Sequence, residues 1–246
     1  MYEPNAQRLL ELIKPGDVVL DIGGWASPFN RANYILDAQP FETRGFYRTV
    51  GLPASQGGDV EHFTKDRWVV RDICDHEPYP FADKMFDWVT CSHTLEDVRD
   101  PLWVCSEMMR IGKRGYIEVP SRLAESSRGW ELPNIAGLSH HRWLIDIDAE
   151  QSRIEFLMKF HRIHSHWRFS LPRAYRESLP VSAHVQWLFW TDRFDCVERT
   201  IHGLAATDVE LERYVAATRP YPAWRLRASA LTRRASSLLS RVSRLR

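Results

Sequence analysis

Residues Val18–Phe29, VVLDIGGWASPF, decide the reading of this chain. Apolar residues run into an acid, Asp21, and a small-residue turn at Gly23 and Gly24 follows. An apolar strand closed by an acid and a glycine turn is how many α/β folds bring bare backbone up to a nucleotide-like ligand. Two glycines alone are a weak signal, because any tight strand-ending turn can use them. The weight therefore falls on how the next strands end. Asn33–Asp37 (NYILD) also ends in an acid, as does Trp68–Asp72 (WVVRD), and Phe86–Cys91 (FDWVTC) runs into Ser92 and His93. Tyr116–Val119 (YIEV), stopped by Pro120, is a fifth apolar segment.

Two helical patterns accompany these strands. Residues 6–14 (AQRLLELIK) are stopped by Pro15-Gly16, and Pro101–Ile111 offers Leu102, Val104, Cys105, Met108 and Met109 to a core. Short apolar strands separated by helix or loop mark a parallel, doubly covered sheet. Right-handed crossovers put every strand C-terminus on one edge, and ligands bind there. Asp21, Asp37, Asp72, Ser92 and His93 all fall on that edge. The expected fold is α/β: a Rossmann-like, doubly wound, mostly parallel sheet with a β-rich C-terminal extension.

The pattern changes after Pro120. Arg142–Asp148 and Arg153–Phe160 read as a hairpin around Ala149–Ser152, and Val185–Trp190 with Phe194–Ile201 as another around Thr191–Asp192. The expected organisation is a core over 1–120, a β-rich extension over 121–212 that completes the sheet and forms the acceptor site, and a basic amphipathic tail over 213–246.

A chain of 246 residues that is 44% hydrophobic suits one decorated globular domain. No apolar run is long enough to span a bilayer, and residues 1–16 lack the pattern of a secretory signal. Cys74, Cys91, Cys105 and Cys196 are scattered without a CxxC pair, so a reducing, cytoplasmic compartment is expected. The net charge of +1 hides an asymmetry: residues 1–212 carry 24 basic and 32 acidic groups, and nine arginines follow with no acid. An acidic body argues against nucleic-acid binding. In the tail, Leu231, Ala235, Leu238, Val242 and Leu245 share one helical face. A basic helix on an anionic membrane surface or acidic partner, and a disordered soluble tail, both fit that pattern.

The stretch LEDVRDP, preceded by FDWVTCSHT and followed after one helix by RIGKRGYIEVPS, resembles the fourth-to-fifth-strand block of class I S-adenosylmethionine-dependent methyltransferases, in their small-molecule branch. The lead-in PYPFADKMFDWV is similar to that branch as well, and the resemblance covers about residues 17–120. It implies S-adenosylmethionine as cofactor and a set of contacts. Gly23 and Gly24 would let backbone approach the methionine moiety, with Asp21 bracing the loop and reaching the amino group. Asp37 would accept the ribose hydroxyls, Asp72 with Ile73 would meet the adenine, and Ser92 and His93 would line the cofactor near its methyl group. Two departures stand out. Trp25 and Ser27 occupy positions where the family carries further glycines, and Asp21 to Asp37 is too short a span for a full helix. A nicotinamide dinucleotide is disfavoured, since the GxGxxG spacing is broken and an acid at the first strand's end would repel a pyrophosphate.

Methyl transfer from a sulfonium is an in-line displacement, so positioning does most of the catalysis. A base is needed when the nucleophile is a hydroxyl, and histidine titrates in the right range. His93, His140 and His141 are the candidates. A hydrogen-bonding role for His93 stands beside the catalytic one. Read as strand neighbours, His140 and His141 point to opposite faces, so at most one meets an acceptor, and a structural role is the plainer account of each. Glu96 and Asp97 read as caps of the following helix, and the role of Glu118 is open. His161, His164 and His166 read as a polar turn, and no metal is expected. Trp130, Trp143, Trp167, Trp187 and Trp190 lie among arginines, a combination suited to stacking on sugars. The expected activity is O-methylation of a small-molecule or carbohydrate-containing acceptor. N- or carboxyl-methylation, and a non-catalytic binding protein that kept the fold, are the rivals.

Overall fold

The computed structural model describes residues 1–218; of the basic tail expected over 213–246, residues 213–218 form the end of a helix and the rest lies outside the described residues. Ten residues of helix α1 (Glu3–Leu12) lead into strands β1 (Val19–Ile22), β2 (Tyr34–Asp37), β3 (Trp68–Val70) and β4 (Trp88–Ser92). Helix α2 (Pro101–Ile111) and strand β5 (Arg114–Pro120) follow. Next come α3 (Arg122–Glu125), β6 (Trp143–Asp148), β7 (Arg153–Met158), α4 (Arg162–Ser165), α5 (Arg173–Glu177), β8 (Val185–Thr191), β9 (Asp195–Glu198) and α6 (Leu204–Thr218). Both ends of α2 are those expected. The Asp100 carboxylate accepts the Trp103 N–H at 3.0 Å, and Pro101 fills the first turn, where a missing N–H costs nothing.

The principal sheet has the order β3-β2-β1-β4-β5-β8, parallel except for β8, which runs antiparallel to β5. The expected mostly parallel α/β sheet is present. Strand alternation divides its faces. Leu20, Ile22, Val89, Cys91 and Ile117 pack with Val104, Cys105, Met108 and Ile111 of α2, while Val19, Trp88 and Tyr116 pack with Leu9 and with Ile13 just past α1. No helix links β1 to β2, in keeping with the short span, and only 3-10 turns such as Phe41–Thr43 and Phe46–Val50 link β2 to β3.

The hairpin expected over 142–160 is present as β6 and β7. The second expected hairpin is not. β8 joins the principal sheet, whereas β9 runs parallel to β7 in a three-stranded sheet β6-β7-β9. Thr191–Asp192 does turn the chain, with Asp192 at φ +61°, but the two strands separate after it. Leu188 and Trp190 are buried in the principal core, and that burial decides the partner of β8.

The chain divides into two compact units. The first comprises Met1–Arg122, His140–Met158 and Val181–Thr200, and holds both sheets. The second comprises Leu123–Ser139, Lys159–Pro180 and the described residues from Ile201. Residues 121–212 are thus shared between the two units. Inside the second, Lys159 Nζ meets the buried Glu125 carboxylate at 2.6 Å, and Arg162 forks onto Asp208 through two bonds of 2.6 Å. Among the described residues no helix is long and apolar enough to cross a membrane.

Candidate functional site

The loop after β1 is built around Asp21, which is buried. One carboxylate oxygen accepts the Phe29 N–H at 2.9 Å and the other the Thr90 hydroxyl at 2.7 Å. Burial pushes this carboxyl up to about 6 against the pull of those two bonds. Both Asp21 oxygens are thus engaged inside the protein, tying the loop at Phe29 to β4. Gly23 has φ +76°, and a Cβ there would lie 2.2 Å from Thr94 Oγ1. Glycine at this turn lets Thr94, just past β4, close onto the loop.

Asp37 ends β2, nearly buried. Its oxygens accept the Trp25 N–H at 3.0 Å and the Gln39 N–H at 2.8 Å, and burial pushes its carboxyl up. A carboxylate offers about four acceptor positions, so capacity remains for a vicinal diol. Trp25, where a glycine was expected, acts as a clamp. Its indole stacks on Phe46 at 4.9 Å and donates to Thr43 Oγ1 at 2.9 Å, while its carbonyl accepts the Gly45 N–H. Ala26 O accepts the Tyr47 N–H at 3.0 Å. Burial, then the charges of Glu96 and Asp97, push the Tyr47 phenol up.

Asp72 and Ile73, the residues expected at the adenine, lie just past β3. Asp72 Oδ2 pairs with Arg99 Nη1 at 2.6 Å, and Oδ1 accepts the Cys74 N–H at 2.9 Å. The Arg99 guanidinium holds this carboxyl low. Ile73 is packed in the core, its carbonyl taken by the Tyr79 hydroxyl.

His93 follows β4 with φ +53° and, itself partly exposed, is the centre of a charge network with two buried glutamates. Its Nε2 lies 3.1 Å from Glu118 Oε1 and its Nδ1 3.5 Å from Glu96 Oε1. Glu118 is fully buried on β5, where it also accepts the Tyr2 N–H at 2.8 Å and the Tyr116 hydroxyl. Burial pulls the His93 pKa down, but the two carboxylates overcome it and raise it to about 9. Burial pulls Glu118 up, and the His93 bond, the charges of the Met1 ammonium 3.6 Å away and of His93, and the Tyr116 bond bring it down to about 2. His93 is therefore an imidazolium at neutral pH. Beside it, the hydroxyl of Ser92 and the second carboxylate oxygen of Glu96, Oε2, are buried with no hydrogen-bond partner among the described residues. Orphaned polar atoms of this kind call for a ligand, and they lie where the methyl end of S-adenosylmethionine was expected. With the spare acceptor positions of Asp37, they fit that cofactor.

Glu96 and Asp97 do not cap α2, since Asp100 does. Instead Glu96 O accepts the Arg142 N–H at 2.7 Å, which ties the segment before β6 to the end of β4. His140 and His141 lie in a turn, not on a strand, so both rings converge on Asp97. His141 Nε2 is 3.7 Å and His140 Nε2 4.0 Å from Asp97 Oδ1. Elsewhere, His164 Nδ1 accepts the Ala136 N–H at 3.1 Å, and burial with neighbouring cations pushes it down to about 4. His166 accepts the Arg168 N–H. Trp143 and Trp190 are core residues, and Trp187 stacks on Tyr2 at 5.8 Å.

Residues 3–128 match the family described as methionine biosynthesis protein MetW. The chain belongs to the MetW family. The match ends just past β5, so the MetW region holds the five parallel strands and their ligand edge. The fold is that of class I S-adenosylmethionine-dependent methyltransferases. Similar solved structures include the Trm112 methyltransferase activator complex of Haloferax volcanii, at 23% identity and TM-score 0.33, covering 47% of this chain and 51% of that one. S-adenosylmethionine-dependent methyltransferases of Mesorhizobium loti and Aquifex aeolicus are each 17% identical, with TM-scores of 0.33 and 0.30. They cover 63% and 48% of this chain and 64% and 65% of their own. The chain thus spans about half of the first and just under two thirds of the others. No curated protein matches.

Of the residues in this MetW-family site, Glu118, Thr90, Thr94 and Tyr47 were not anticipated as site residues. Tyr116 and Glu118 alternate on one face of β5, and that spacing was the available signal for Glu118.

Proposed function

We propose that the protein is an S-adenosylmethionine-dependent methyltransferase acting on a hydroxyl of a small polar acceptor. The observation that carries this reading is the pair of partnerless buried polar atoms, Ser92 Oγ and Glu96 Oε2, at the end of β4, on the same sheet edge as Asp37. When bound, S-adenosylmethionine supplies a sulfonium methyl group. Asp37 would hold the ribose diol, the backbone of Gly23–Trp25 would border the methionine portion, and Ser92 and His93 would line the methyl end. His93, already protonated between two glutamates, would position charge. The acceptor proton would pass to the His140/His141 pair, where Asp97 stabilises the resulting imidazolium.

The family description, methionine biosynthesis, supports a small, polar acceptor. A carbohydrate-containing acceptor is the narrower form of the same reading, but its basis in clustered tryptophans is weakened by the core positions of Trp143 and Trp190. The test is transfer of labelled methyl from S-adenosylmethionine to panels of hydroxyl, amine and sugar acceptors. Label on a hydroxyl compound, reduced by a factor of about 100 or more in His141→Ala, supports the reading; label on amines alone overturns it.

A further inference from the structure

Asp97, His140 and His141 each present a ligand atom, and these three atoms lie within 4.8 Å of one another. We propose that they form a binding site for a divalent first-row transition metal, with two imidazoles and one carboxylate as protein ligands. The donor set selects the metal class: imidazole with carboxylate suits zinc, iron, cobalt and nickel, whereas calcium and magnesium prefer all-oxygen sites. Three protein ligands leave coordination positions open, the arrangement of metal sites that act on a substrate.

The backbone holds these ligands together without a metal. Asp97 N donates to Thr94 O at 3.1 Å, closing the turn after β4. Arg142 N and Trp143 N both point at Glu96 O, at 2.7 and 3.3 Å, so the residues after His141 are pinned beside the residue before Asp97. Because His140 and His141 lie in a turn, their rings meet edge to face, 4.6 Å apart, on one side of the chain. Ligands about 2.0–2.2 Å from zinc sit roughly 3.3 Å apart in a tetrahedral site. The observed separations of 3.7 and 4.0 Å from Asp97 Oδ1 close to that value by side-chain rotation. His141 is buried and supplies the fixed ligand, while His140 and Asp97 are 62% and 40% exposed and leave a path for the ion. A metal here would hold both imidazoles neutral, so in the loaded protein it would replace the His140/His141 pair as the means of easing loss of the acceptor proton, which would then pass to solvent; that role rests on the methyltransferase reading, the binding itself does not.

The test uses the full chain stripped with a chelator and titrated with Co²⁺ as a spectroscopic probe, then with Zn²⁺ as competitor, with no cofactor or acceptor present. One equivalent of Co²⁺ with a visible ligand-field spectrum, displaced by Zn²⁺, is expected. His140→Ala, an exposed position whose loss leaves the fold intact, should weaken binding at least tenfold, as should Asp97→Asn. His164→Ala and His76→Ala should bind as the parent does. Absence of stoichiometric binding, or equal affinity in His140→Ala, would overturn the site. Either outcome is independent of whether S-adenosylhomocysteine binds, so failure here is distinguishable from failure of the methyltransferase reading.

Discussion

His93 Nε2 lies 3.1 Å from Oε1 of the fully buried Glu118, joining the end of β4 to the middle of β5 by a charged bond. His93 has its pKa raised to about 9, so its stabilising contribution is complete below its ordinary value of 6.5 and is lost as pH rises through 9. Glu118, lowered to about 2, contributes above its ordinary 4.5 and loses that contribution as pH falls through 2. The pair is therefore most stabilising between these ordinary values. Urea unfolding from pH 6 to 9.5 should show stability declining above pH 6.5, and His93→Gln should flatten the decline. An unchanged slope in that variant would contradict the pairing.

Asp21 has the opposite balance. Its pKa is raised from 3.8 to about 6, so its contribution is present below 3.8 and lost as pH rises through 6. At pH 8 the ionised form carries an uncompensated burial cost. Asp21→Asn, which keeps the shape, should match or exceed the parent in stability at pH 8 and lose that advantage near pH 4. Asp21→Ala should lose about 1–3 kcal/mol, because the buried Phe29 N–H is orphaned. Thermal melts of both variants at the two pH values check the pattern.

Gly23→Ala combines a left-handed backbone with a Cβ 2.2 Å from Thr94 Oγ1. A cost of about 1–3 kcal/mol is expected, and pairing the change with Thr94→Gly should recover part of it. Chemical denaturation of the single and double variants measures this; equal stability of the two would show that Thr94 is not the obstacle.

Much of this architecture was legible in the sequence, where local chemistry and burial agree. Asp100-Pro101 and Gly112 bound α2 at the expected residues, and alternation around Ala149–Ser152 sets the β6–β7 hairpin. The β8–β9 turn was legible too, but the partners of a strand depend on which core its apolar residues join, and Leu188 and Trp190 join the principal one. Asp21 and Asp37 could be placed because they end strands. The ion pair of Asp72 was not legible, because Arg99, its partner, comes 27 residues later. The convergence of His140 and His141 was hidden by reading a turn as a strand.

The Asp72–Arg99 pair is half exposed, at 50% and 52%. Exposed pairs contribute about 0–1 kcal/mol, so Asp72→Ala should change stability by less than about 1 kcal/mol. A much larger loss in urea unfolding would mean the pair organises the β3–α2 region.

Calorimetric titration of S-adenosylhomocysteine tests the central claim most directly. The account predicts micromolar binding by the parent chain, weakened at least tenfold, about 1.4 kcal/mol, by Asp37→Ala, and changed less than about threefold, under 0.7 kcal/mol, by Asp72→Ala. Absence of binding by a well-folded parent, or a loss carried by Asp72 and not by Asp37, would contradict it.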